Sequence, residues 1–181
     1  MLWLTLINYV GTSRCLVKSN LESPYIFSIQ LDDCDDKMDA QVSISYDFLI
    51  AGLDTHHYLQ LSLLSGKLCS INGLLINKEQ CSIWKSYYSD IGIESSQFPI
   101  FSLTPIRGGE EPIINNATIT QKVNISIHLY IDTVVISFSM LSAFKWHKVS
   151  NEFTISTSKN GALAELIFHG NLAQYIFSKL N

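Results

Sequence analysis

Arginine is almost absent from this chain, with Arg14 and Arg107 its only two in 181 residues. Proteins that grip nucleic acid present a clustered basic patch to phosphates. A chain of net charge −4 has little to offer there, so RNA and DNA are excluded as expected ligands. Long apolar runs are missing too: no stretch approaches the roughly 18 residues of a membrane-spanning helix. The opening "MLWLTLINYV" has no Lys or Arg before its apolar part, and Thr5 and Asn8 interrupt it. It reads as a first strand rather than a leader.

The four cysteines (Cys15, Cys34, Cys69, Cys81) form no C-x-x-C pair and are too sparse for a disulfide scaffold. Their spacing predicts free thiols and a cytoplasmic setting. Two N-x-S/T sequons, at Asn116–Thr118 and Asn124–Ser126, are chance matches in that setting, since glycosylation needs export. The signatures of activated nucleophiles, phosphate loops, dinucleotide sites and zinc helices are all missing. The expectation is a protein without enzymatic activity, with no cofactor and no metal.

What is present is alternation. Ile44, Tyr46 and Phe48 alternate with polar residues, and so do Leu59, Leu61 and Leu63, and Phe27, Ile29 and Leu31. Period-two patterning of this extent predicts a mainly β (α+β) protein. We expect one domain over 1–181, built on a single curved antiparallel sheet of about eight to ten strands, as a half-barrel or sandwich. One or two covering helices are predicted, from two candidate segments. The first, about 78–90, starts from Asn77 and Gln80 as a capping box; the second, about 171–180, starts from Asn171.

Three local registers follow. Asn72-Gly73 is a strong two-residue hairpin signal and predicts a turn that pairs Ile71 with Leu74. Asn160-Gly161 predicts another, with Phe153 facing Phe168, Ile155 facing Leu166 and Thr157 facing Ala164. In "KVNISIHLYIDTVVISFSML" (122–141) the apolar residues jump from odd to even numbers, which a hairpin requires. A turn centred on Asp132-Thr133 sets Leu129 against Ile136 and Ile127 against Phe138, with Asn124, Ser126, His128 and Tyr130 on the wetter face. In "AFKWHKV", alternation puts Phe144 and Trp146 on the core side and Lys145 and His147 outside.

Charge is the one functional pointer. "LDDCDDKMD" packs Asp32, Asp33, Asp35, Asp36 and Asp39 into eight residues, and Glu110 and Glu111 follow a glycine pair further on. Like charges so close repel, so these segments belong in solvent. The spacing lacks the glycine and the terminal glutamate of a calcium loop. Clustered carboxylates steer association with basic surfaces. The expected function is therefore a cytosolic protein-binding inhibitor of the bacterial toxin-immunity type, with these seven residues docking on a basic partner such as a nuclease toxin. The alternative is an intracellular β-barrel-like protein that binds a small apolar ligand.

Overall fold

The computed structural model describes residues 2–10, 17–19, 27–31, 43–50, 58–74, 81–83, 93–95, 98–105, 111–138 and 140–180. Their strands form two sheets. The first contains β1 (Leu2–Val10), β2 (Val17–Ser19), β3 (Phe27–Leu31), β4 (Ser43–Ile50), β5 (Tyr58–Leu64) and β6 (Lys67–Leu74). It is completed by β9 (Phe98–Pro105), β10 (Ile113–Asn115) and β11 (Thr118–Val123). The second contains β7 (Cys81–Ile83), β8 (Ile93–Ser95), β12 (Ile125–Leu129), β13 (Thr133–Phe138), β14 (Lys145–Lys148), β15 (Phe153–Thr157) and β16 (Leu163–His169).

The first sheet runs β1-β9-β6-β5-β4-β11-β10, with β3 beside β6 and β2 beside β3; the second runs β7-β12-β13-β16-β15-β14-β8. Most neighbours are antiparallel, while β4–β11, β7–β12 and β8–β14 are parallel. The first sheet curls into a half-barrel, so that Leu4 of β1 and Ile44 of β4 line one cleft although three strands separate them. A mainly β fold with a covering helix is thus what the chain forms, with its strands divided between a curled sheet and a second one.

Alternation explains the core directly. On β4 and β5, Ile44 faces Leu63, Tyr46 faces Leu61 and Phe48 faces Leu59, all on the inward side. The two sheets close over one apolar cluster centred on Trp3, Phe48 and Phe138, whose ring centroids lie 5.2–5.4 Å apart. Such ring pairs contribute about 0.5–1.5 kcal/mol beyond simple burial. The chain itself crosses between sheets at Asn124, which separates β11 from β12. Helix α1 (Gly170–Leu180) buries Leu172, Ala173, Ile176 and Leu180 against this cluster, at the place and on the face expected.

The Asn160-Gly161 hairpin has the expected register: Phe153 pairs with Phe168, their rings stacked at 5.1 Å, and Ile155 pairs with Leu166. A bulge then sets Thr157 opposite Leu163 rather than Ala164. Residues 125–138 also form the expected hairpin, but its turn is one residue earlier. Tyr130 N–H bonds the Thr133 carbonyl at 2.8 Å, and Ile127 pairs with Ile136 and Leu129 with Val134. The pairing has slipped by two positions, which preserves every face. Ile131 is left at the tip, 88% exposed.

Three expectations fail for identifiable reasons. Asn72-Gly73 is no turn: β6 runs straight through it, and Ser65-Gly66, both at positive φ, closes the β5–β6 hairpin instead. Gly73 serves close packing, because a Cβ there would stand 2.3 Å from the Phe27 ring. The helix predicted over 78–90 is replaced at its described part by β7, whose backbone pairs with the edge of β12. Capping residues cannot report that a strand edge waits elsewhere in the chain. Cys69 is disulfide-bonded, its partner lying outside the described residues, whereas the sequence predicts a free thiol. Cysteine spacing carries no information about which strands will bring sulfurs together.

Candidate functional site

Of the seven acidic residues predicted to dock a partner, Glu111 is exposed just ahead of β10. Asp32, Asp33, Asp35, Asp36, Asp39 and Glu110 lie outside the described residues, as do His56 and His57.

On the half-barrel's outward face, polar side chains from four strands join into one row. Ser28 Oγ donates to Asn72 Oδ1 at 2.7 Å, and Asn72 Nδ2 donates to Gln60 Oε1 at 3.1 Å. Gln60 Nε2 in turn donates to Asp47 Oδ1 at 2.9 Å, which Ser45 Oγ also approaches at 3.3 Å. Every donor in the row points toward the Asp47 carboxylate. Strand register makes the row, since Ser28, Asn72, Gln60 and Asp47 are successive cross-strand partners. Carboxamides hold protons rather than pass them, so the row orders the sheet and offers no acid–base step.

The second sheet carries a similar arrangement around Glu165. Its carboxylate accepts from Ser156 Oγ at 3.0 Å and Ser137 Oγ at 3.4 Å. Burial first, and the Glu165 charge second, push the Tyr130 hydroxyl above its ordinary pKa. His128 is half-buried on the polar face with Ser126 and Tyr130, where the alternation puts it.

His147 reverses expectation. It is fully buried while Phe144 is 52% exposed, because β14 turns His147 toward the seam between the sheets. There Tyr9 Oη lies 3.3 Å from Nδ1 and Thr157 Oγ1 lies 3.1 Å from Nε2. Two hydroxyls suit an imidazole, as each can either donate or accept. Alternation within "AFKWHKV" holds no trace of Tyr9, 138 residues away.

Two features face the interior. A half-open apolar cleft of about 260 Å3 is lined by Leu4, Ile44, Leu63, Phe101 and Leu103, with the Ser65-Gly66 turn at its end. Beside the aromatic cluster, the Gln121 amide and the Tyr46 hydroxyl are buried with no hydrogen-bond partner among the described residues. Gln121 lies opposite Phe48, and Ile119 lies opposite Tyr46, on the β11–β4 pair. Burial alone pushes the Tyr46 pKa well above its ordinary value.

Among the described residues no three His, Cys, Asp or Glu side chains come together as metal ligands. No helix there is long and apolar enough to cross a membrane. No family model and no curated protein matches the sequence.

Proposed function

We propose that the chain is a non-enzymatic binding protein that inhibits a basic protein partner through its acidic segments, in the manner of toxin-immunity proteins. One observation carries the reading: five aspartates fall within the eight residues 32–39 of a chain whose net charge is −4. Carboxylates clustered in this way steer association with surfaces of opposite charge. A nuclease site, built to hold phosphates, is electropositive. Asp32, Asp33, Asp35, Asp36, Asp39, Glu110 and Glu111 together provide the matching charge.

The test is affinity capture with the purified chain as bait. A basic protein recovered at low salt, lost at high salt and lost with the Asp32, Asp33, Asp35 and Asp36 to Asn variant supports the reading. Capture that survives both changes overturns it.

A second reading, binding of a small apolar molecule, draws on the cleft beside Ile44 and Leu63 and on the unpartnered Tyr46 and Gln121 groups. At about 260 Å3 the cleft is a little below the usual ligand-pocket range of about 300–1,000 Å3. Thermal stabilisation by a small hydrophobic compound, abolished by Gln121→Leu, would favour it over protein capture.

A further inference from the structure

Cys69 sits on β6 in the middle of the half-barrel and is disulfide-bonded. Structural disulfides persist in oxidising compartments and are rare where thiols are kept reduced. The two N-x-S/T sequons are chance matches only in a reducing setting, and a disulfide at Cys69 removes that premise.

Both acceptor asparagines are exposed. Asn116 occupies the β10–β11 turn at φ +51°, and Thr118, its hydroxyl partner in the sequon, begins β11. Asn124 lies between β11 and β12, where the chain passes from one sheet to the other, with Ser126 two residues on. Neither site has proline between the asparagine and the hydroxyl residue: Ala117 and Ile125 stand there. A glycan is bulky and hydrated, so a folded chain tolerates it only where the amide is directed to solvent. Asn116 and Asn124 are both exposed residues, whereas Asn72 is buried inside its hydrogen-bonded row.

The surroundings of Asn116 add an independent argument. Among the described residues β10 is the terminal strand of its sheet path, and its Ile113 and Ile114 are 61% and 58% exposed. An apolar edge strand invites pairing with other chains unless something covers it. A glycan at the adjoining turn would screen that edge with a hydrated group.

We propose that Asn116 and Asn124 are N-glycosylation acceptors, with a lipid-linked oligosaccharide pyrophosphate as donor, and that the chain folds in an oxidising secretory compartment, so that any basic partner it captures is met outside the cytosol. In the transfer, Asn Nδ2 bonds to C1 of the first sugar and loses one proton. The bond from C1 to the pyrophosphate oxygen breaks, and the lipid pyrophosphate leaves with the electron pair.

The experiment is peptide mass spectrometry on protein purified from its native source, alkylated without reduction, before and after enzymatic deglycosylation. The expected result is glycan mass on the peptides that contain Asn116 and Asn124, and Cys69 in a disulfide-linked peptide. In a eukaryotic secretory host, Asn116→Gln and Asn124→Gln should each remove one glycan increment on a gel. Thr118→Ala and Ser126→Ala should do the same while keeping each asparagine, which separates glycan loss from misfolding. Each site stands or falls by its own occupancy in the native-source protein. Bare asparagine at both, or an alkylated Cys69, overturns the proposal.

Discussion

The indole Nε1 of Trp3, on the first strand, donates to the Leu163 carbonyl of the sixteenth at 2.8 Å, across 160 residues of sequence. Beside it, Leu6 N–H bonds the Gly161 carbonyl at 2.9 Å, so β1 is stitched to the β15–β16 hairpin by side chain and backbone together. The seam between the sheets depends on this strand.

Trp3→Ala should therefore be among the most damaging substitutions, at about 3–5 kcal/mol in urea unfolding. Trp3→Phe keeps much of the packing but leaves the Leu163 carbonyl without its donor, for a smaller loss of about 1–3 kcal/mol. Equal losses for the two variants would remove the hydrogen bond from this account.

Gly73 and Asn72 make the same point about β6. Gly73→Ala drives a methyl group into the Phe27 ring and should cost about 1–3 kcal/mol. Asn72→Ala leaves the Ser28 hydroxyl and the Gln60 carbonyl oxygen without their partner, at a similar cost. If Asn72-Gly73 were a solvent-facing turn, both changes would be mild in chemical denaturation.

His169 gives stability a pH dependence. Burial is the main cause that lowers its pKa below the ordinary 6.5; Lys148 adds to the shift and Asp132 opposes it. The unfolded chain takes up this proton at a higher pH than the folded one. The histidine's contribution is complete above 6.5 and is lost as pH falls from there through the folded value. Unfolding midpoints should drop over that window, and His169→Gln should flatten the drop.

Gln121 is a polar side chain in an apolar place, with neither amide atom partnered among the described residues. Gln121→Leu removes that desolvation penalty and should raise stability by about 1–3 kcal/mol. A loss on this substitution, read from the same urea curves, would mean that the amide is satisfied in solution.

Local signals that agree with one another were readable from residues alone. Phe153 finds Phe168 because turn chemistry and side-chain alternation give the same register, and α1 forms where Asn171 and the Leu172–Ile176–Leu180 stripe place it. The 125–138 hairpin slipped by two because Ile131 looks like a core residue, yet a tight turn needs it at the tip. What could not be read was anything set by distant chain: the seat of His147 against Tyr9, the disulfide at Cys69, the close approach of Phe27 to Gly73. The acidic segments were legible as charge, and of their seven residues only Glu111 falls among the described ones.

The central claim is that those carboxylates capture a basic partner. The most direct measurement is quantitative affinity capture that compares the native chain with the Asp32, Asp33, Asp35 and Asp36 to Asn variant, at low and high salt. The account predicts one basic protein enriched with the native chain at low salt and released both by salt and by the substitutions. Recovery of the same partner in equal amount under all four conditions would contradict it.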